Sequence, residues 1–137
     1  MAAYRTILFL SGHDSERDET ALKKLARHYV GANTAVYLLN VAAHHVTGFG
    51  EGTARGHIAN DMQTKQEVFP QLKALCEQFG IPLNHIHIEL GEPLAVIERC
   101  VRELGIELLV VAPAASGGQS KLAPLLDSCP CDLHFIR

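Results

Sequence analysis

The chain has 137 residues, enough for one domain, and at this length it buries about two thirds of the surface that it exposes when unfolded. Hydrophobic residues make up 47% of it and charged residues 20%, which excludes a disordered, collagen-like or coiled-coil protein. The net charge of −3 excludes a strong attraction to nucleic acid or to an anionic membrane, and no apolar run approaches the ~20 residues of a membrane span.

Short apolar runs alternate with helical stretches along the first half of the chain. Arg5–Leu10 and Ala35–Val41 are predicted to be buried strands. Apolar residues repeat at helical spacing between them, and this predicts a helix with Ser15 as its N-cap and Gly31 at its end. The connection Ala42–Gly56 has no periodicity and holds four glycines, so we expect it to be the least ordered internal segment.

A second helical stripe follows this connection and ends before Gly80. Its apolar members are Met62, Val68, Leu72, Leu75, Cys76 and Phe79. Alternation of apolar and polar residues over His85–Leu90 then predicts a strand with one polar face.

The last third of the chain predicts one helix, two strands and a short helix between those strands. Pro93 opens the helix, at a position where the missing N–H costs nothing, and Gly105 ends it. The strands are Leu108–Ala112 and Leu133–Ile136, and Pro124 limits the fourth helix to little more than a turn.

This order of elements predicts an α/β protein with a doubly wound, five-stranded parallel sheet and helices on both faces. Ligands of such sheets bind beyond the carboxyl ends of the strands, where the strand order reverses. The segments after Leu10, Val41 and Val111 are therefore the places to search for a site.

Five segments carry a family resemblance that spans nearly the whole chain: Tyr4–Leu10, Ala35–Val41, Gly91–Ile97, Glu103–Val111 and Cys129–Arg137. In these segments the sequence resembles the universal stress protein family, in particular its small bacterial domains of the A type. The resemblance implies the HUP, or adenine nucleotide alpha hydrolase-like, fold and a function in the stress response.

The residues that carry ATP binding in this family differ in this chain. ATP-binding members resemble one another in an Asp at the end of the first strand and a glycine-rich signature after the fourth, whose N–H groups approach phosphates closely. In this chain Gly12 occupies the position of that Asp, and Ala112 and Ala115 occupy the positions of the first two glycines of the signature. Only eleven residues separate Gly118 from Pro130, too few for the rest of the signature.

We therefore expect a degenerate cleft, no cofactor and no ATP binding. The cleft residues are Gly12, His13, Val41, Ala112, Ala115, Gly117, Gly118 and Ser120. The segment from Gly117 to Lys121 could still hold an anion, but a flexible turn before a short helix with Ser120 as N-cap is the favoured interpretation.

Eight histidines are many for a chain of this length, and they raise a metal hypothesis. His44, His45 and His57 fall in the glycine-rich connection, and His85 and His87 share one strand face, where two imidazoles could hold a metal. The solvated face of an edge strand is the favoured interpretation, so we predict no metal site. His13 lies near the cleft without a recognisable triad, so no catalytic residue is predicted.

Three functional hypotheses remain open. The leading one is a non-enzymatic universal stress protein-like domain, covering residues 1–137, that acts as a homodimer through protein contacts. Its dimer would form through the last strand, Asp132 to Ile136, which a doubly wound sheet leaves at an edge. The alternatives are a nucleotide-binding switch or weak ATPase of the same fold, and a histidine-based metal or pH-responsive protein.

The cysteines and the residues near Met1 indicate in which cellular compartment the protein is expected. Cys76 and Cys100 fall at apolar helix positions, and Cys129 and Cys131 lack the spacing of a redox or zinc motif, so four reduced thiols are expected. The apolar stretch near Met1 is too short for a signal peptide. We expect a cytoplasmic protein without nucleic-acid or membrane partners.

Overall fold

The structure, a computed structural model, describes residues 4–12, 14–42, 54–113 and 122–136, with side chains for all of these except residues 54–65. The first elements are β1 (Thr6–Leu10), α1 (Ser15–Tyr29), β2 (Ala35–Ala42), α2 (Ala54–Phe79) and β3 (Ile86–Leu90). They are followed by α3 (Pro93–Leu104), β4 (Leu108–Val111), α4 (Leu125–Ser128) and β5 (Asp132–Phe135).

The five strands form one sheet in the order β3-β2-β1-β4-β5, and all four pairings are parallel. This confirms the predicted fold class. The central strand β1 lies between β2 and β4, so the chain changes its direction of winding there. Edge positions belong to β3 and β5.

The strand registers place α1 and α3 on opposite faces of the sheet. Glu89 of β3 and Phe135 of β5 share one face, while His134 points to the other. Arg99 of α3 forms an ion pair with Glu89, whereas Tyr29 of α1 bonds to His134. Helices therefore cover both faces, as predicted.

The core lies where the central strands meet the helices. Ile7–Leu10 of β1 are all 0% exposed, and Leu108–Val111 of β4 are buried as well. Such continuous apolar strands are expected in a parallel sheet that is covered on both faces. Helix α3 contributes its apolar stripe to the same core: Val96, Ile97, Cys100 and Val101.

Two predicted ends of α1 are wrong. Asp14, not Ser15, is the N-cap, and its carboxylate accepts a hydrogen bond of 3.1 Å from the Arg17 N–H. The helix ends at Tyr29, and the chain continues through Val30 in an extended conformation. No glycine in the left-handed conformation is therefore needed at this end. By contrast, Gly105 caps α3 in the left-handed conformation, as predicted.

The predicted connection between β2 and α2 is shorter in the structure. Ala42 belongs to β2, and α2 begins at Ala54, so Ala54–Gly56 are helical. The predicted apolar stripe begins only at Met62, so it did not indicate that the helix starts earlier. Residues 43–53, with His44 and His45, lie outside the described residues, as does the side chain of His57.

The fourth helix has four residues, as short as Pro124 implied. It begins at Leu125, and Ser120 lies outside the described residues. Among the helices that the structure describes, none is long and apolar enough to cross a membrane.

Candidate functional site

The sheet continues for one residue beyond β1 and β4, at the point where the strand order reverses. The Ser11 N–H donates to the Leu39 carbonyl at 2.8 Å, and the Ala112 N–H donates to the Leu10 carbonyl at 3.1 Å. These donors are therefore engaged within the sheet. A ligand at this edge would have to be held by other groups.

A buried carboxylate organises the turn after β1. Asp18, one turn into α1, is 2% exposed. Its Oδ2 accepts a hydrogen bond of 2.6 Å from the Ser11 hydroxyl, and its Oδ1 accepts one of 2.8 Å from the Gly12 N–H. A buried charge is tolerated only when it is paired in this way. The carboxylate thereby fixes the turn at the carboxyl end of the central strand.

Sequence reasoning missed the role of Asp18, which looked like one more acid near a helix start. The position gave a signal nonetheless. Asp18 lies three, four and seven residues before Ala21, Leu22 and Leu25, all of which are buried, so it occupies the core-facing stripe of α1. An acid on an apolar stripe requires a buried partner, and Ser11 is that partner.

A cavity of about 650 Å³ lies between the first turns of α1 and the residue that follows β4. Its described lining consists of Glu16, Arg17, Glu19, Thr20 and Pro113. Gln78 and Lys23, which bond to the Glu19 carboxylate at 3.0 and 3.2 Å, hold its pKa below the usual range. The described part of the lining therefore carries two carboxylates against the one guanidinium of Arg17, so it offers an anionic ligand more repulsion than attraction.

The predicted cleft residues divide into two groups. Gly12, Val41 and Ala112 lie buried at the carboxyl ends of β1, β2 and β4, with Val41 3% and Ala112 0% exposed. They therefore belong to the core beneath the site. The remaining residues lie outside the described residues: His13, Ala115, Gly117, Gly118 and Ser120.

The two histidines near β3 lie in a half-buried aromatic cluster rather than on a solvated face. His85 precedes the strand, its Nδ1 lies 3.0 Å from the Val36 carbonyl oxygen, and its ring stacks on Tyr37 at 4.2 Å. The ring of His87 lies 6.0 Å from that of Tyr37, and its buried Nε2 has no hydrogen-bond partner among the residues that the structure describes. No group of three or more His, Cys, Asp or Glu suited to a metal occurs among the described residues.

The edge strand β5 presents a second candidate surface. The Asp132 N–H donates to the Glu107 carbonyl, just before β4, and the Ile136 N–H donates to the Val111 carbonyl at the end of β4. Because neighbouring residues of a strand alternate in direction, the N–H of His134 also faces β4. The outward backbone groups therefore belong to Leu133 and Phe135.

Comparison with known proteins identifies the fold. No family model and no curated protein sequence matches the chain. Solved structures do match it. One is a protein of the universal stress protein family from Burkholderia pseudomallei, with 19% identity, a TM-score of 0.63 and coverage of 96% of this chain and 94% of that one.

Two further structures belong to the same family. The universal stress protein UspA from Lactobacillus plantarum is 18% identical, with a TM-score of 0.60 and full coverage of both chains, 100% each. A universal stress protein family protein from Arabidopsis thaliana, solved with AMP bound, is 16% identical, with a TM-score of 0.59 and coverage of 93% of this chain and 87% of that one. The chain therefore has the fold of the universal stress proteins.

Proposed function

We propose that this protein is a cytoplasmic, non-enzymatic universal stress protein-like domain that binds no ATP and acts in the stress response as a homodimer, through protein contacts. The observation that carries the proposal is the bond between the Gly12 N–H and the buried Asp18 carboxylate, 2.8 Å long, at the end of the central strand.

Charge and hydrogen bonding at this position disfavour a nucleotide. A phosphate binds where backbone N–H groups are free and the local charge is positive. Here the Gly12 N–H is engaged by a carboxylate and the Ala112 N–H by a carbonyl. The described lining of the adjacent cavity holds two acids, Glu16 and Glu19, and one base, Arg17. The two acids outnumber the base and would repel the triphosphate of ATP.

Binding of an AMP-class nucleotide is the second candidate function. The Arabidopsis protein of the same fold has AMP bound, and the cavity of about 650 Å³ beside Pro113 is large enough for a ligand of this size. A monophosphate brings less negative charge to the acidic lining than a triphosphate does. The two candidates therefore differ in which nucleotide, if any, stabilises the folded chain.

A melting experiment separates the two candidates. A ligand present at a hundred times its dissociation constant adds about 2.7 kcal/mol to the free energy of unfolding. For a domain of this size the result is a rise in Tm of several degrees. We expect no rise with Mg-ATP or with a Mg-phosphate control. A rise with Mg-ATP alone would refute the leading candidate, and a rise with AMP alone would establish the second.

The edge position of β5 supports the proposed homodimer. Antiparallel pairing of two copies about a two-fold axis would satisfy the outward backbone groups of Leu133 and Phe135 in both subunits. Light scattering at micromolar concentration should give twice the 14.9 kDa of one chain. A mass of one chain would refute the dimer.

A proline variant tests whether β5 forms the contact. Leu133→Pro removes an outward N–H and should shift the protein to a monomer, whereas the matched control Leu133→Ala keeps that N–H and should remain a dimer. His134→Pro is unsuitable, because the N–H of His134 faces β4 and its loss would disrupt the sheet. Circular dichroism confirms that each variant is folded. A folded Leu133→Pro dimer would place the contact elsewhere.

A further inference from the structure

Two thiols lie side by side where α4 ends and β5 begins. The Sγ atoms of Cys129 and Cys131 are 3.4 Å apart, and both side chains are half-buried. Only Pro130, whose ring fixes its φ angle, separates them in the sequence. The pair therefore differs from Cys76 and Cys100, which are buried in the core.

Backbone hydrogen bonds on both sides hold the pair in place. The Cys129 N–H donates to the Leu125 carbonyl at 2.9 Å, which ties it to the last turn of α4. On the other side, the Asp132 N–H donates to the Glu107 carbonyl at 3.1 Å, which ties the residue after Cys131 to the sheet. The two sulfurs are thus kept in contact by structure outside the pair.

Cys131 holds its proton more firmly than an ordinary thiol does. Burial, together with the hydrogen bond to Cys129, raises the pKa of Cys131 to about 12. Cys131 therefore keeps its proton at neutral pH and can donate it towards the sulfur of Cys129. Because the thiolate is the nucleophile, the raised pKa of Cys131 disfavours Cys131 as the sulfur that attacks first and leaves it the role of the resolving sulfur.

We propose that Cys129 and Cys131 form a reversible intramolecular disulfide by exchange with low-molecular-weight disulfides. The site is thus a two-electron redox couple at the start of the edge strand. Disulfides of cytoplasmic proteins are usually transient and redox-sensing, which fits a pair that is in contact and half-buried. The inference does not depend on the proposed dimer or on nucleotide binding.

The exchange proceeds in two balanced steps. The Cys129 thiolate attacks one sulfur of the small disulfide, whose S–S bond breaks, and the departing thiolate takes up the proton that Cys129 released. In this mixed disulfide the Cys129 thiol that helped to raise the pKa of Cys131 is gone. Cys131 gives up its proton and attacks Sγ of Cys129, the bond between Cys129 and the small sulfur breaks, and the departing small thiolate takes up the proton of Cys131. The protein loses two electrons and two protons, and the small disulfide becomes two thiols.

Equilibration in glutathione buffers tests the proposal directly. The intact protein is incubated at increasing ratios of oxidised to reduced glutathione, quenched with acid and alkylated under denaturing conditions. Trypsin then releases residues 122–137 as one peptide that holds both Cys129 and Cys131 and no other cysteine. We expect this peptide to lose both alkylation sites together as the ratio rises, while Cys76 and Cys100 stay alkylated.

Two variants assign the roles of the sulfurs. In Cys131→Ser the mixed disulfide cannot be resolved, so a glutathione adduct should accumulate on Cys129. Cys129→Ser should form far less adduct, because Cys131 keeps its proton. The control Cys100→Ala keeps the pair and should titrate like the natural chain. Melting curves establish that each variant is folded.

The outcomes that would overturn the proposal are definite. One is a peptide 122–137 that keeps both alkylation sites in fully oxidised glutathione. Another is a disulfide that joins two chains, which a non-reducing gel would show as a band of doubled mass. A third is an adduct in the natural chain that persists on Cys129 without conversion to the internal disulfide.

Discussion

The hydroxyl of Tyr4 donates a hydrogen bond of 2.7 Å to the Asp132 carboxylate, and so connects the residues before the central strand to the first residue of the last strand. The ring of Tyr4 also contacts that of Tyr29 edge to face at 5.8 Å, and the Tyr29 hydroxyl lies 2.6 Å from Nδ1 of His134. Two tyrosines therefore cover the polar face of β5 on the α1 side.

The first prediction concerns the stability of this contact at high pH. The hydrogen bond to Asp132, followed by burial, raises the pKa of Tyr4 from 10.0 to about 12. A proton bound more tightly in the folded state stabilises it below the unfolded pKa. The contribution should therefore be complete below pH 10 and lost as the pH rises from 10 to about 12.

An ultraviolet absorbance titration of the phenol groups checks this pKa. One of the three tyrosines should ionise later than an ordinary phenol, and the late step should disappear in Tyr4→Phe. The control Tyr37→Phe should retain it. If Tyr4→Phe leaves the late step unchanged, the bond to Asp132 does not control the titration.

The second prediction concerns the buried Asp18. Asp18→Ala leaves the Ser11 hydroxyl and the Gly12 N–H buried without their acceptor. We expect a loss of about 3 kcal/mol in the free energy of unfolding, since hydrogen bonds to charged groups contribute ~1.5–3 kcal/mol. The control Asp14→Ala removes an exposed helix cap and its solvent-exposed ion pair with Arg17, and should cost about 1 kcal/mol. Equal losses in urea unfolding would contradict the structural role of Asp18.

The third prediction compares two glycines with positive φ angles. Gly91 has a φ of +144°, and an added Cβ would meet Val96 Cγ2 at 3.2 Å. Gly105 has a φ of +62° and nothing within 4 Å of an added Cβ. Gly105→Ala should therefore cost about 1–2 kcal/mol, as a left-handed residue does.

Gly91→Ala should cost more than Gly105→Ala, because the strained backbone and the close contact add up; strain of this kind costs ~1–3 kcal/mol by itself. Thermal unfolding of the two variants side by side provides the measurement. A smaller loss at Gly91 would mean that the turn between β3 and α3 relaxes around the new side chain.

The strands of the sheet could be predicted from the sequence, but the contacts that form the site could not. Continuous apolar runs such as Ile7–Leu10 predict buried parallel strands because only a sheet covered on both faces needs them. The first residue of α1 is harder to predict from sequence than the strands are. Asp14 and Ser15 are both good caps, and the N-cap is the one whose side chain reaches the Arg17 N–H. Local chemistry alone does not decide such a competition.

Contacts between different elements account for what sequence reasoning missed. Asp18 is stabilised by Ser11 and Gly12, which come from the preceding strand end, and its acidic neighbours in the sequence obscured this role. His85 was expected to lie on a solvated strand, but the Tyr37 ring from β2 stacks on it. The contact between Tyr37 and His85 could not be assigned without the pairing of β2 with β3.

The place of β1 in the sheet has a consequence for synthesis on the ribosome. Its neighbour on one side, β2, follows soon after it, but β4 becomes available only when Leu108–Val111 have been made. At ~5–20 residues per second, roughly 5–20 seconds separate the two strands. Throughout this interval the nascent chain presents one side of this apolar strand to other chains, so a pause in translation after β3 would favour misassembly.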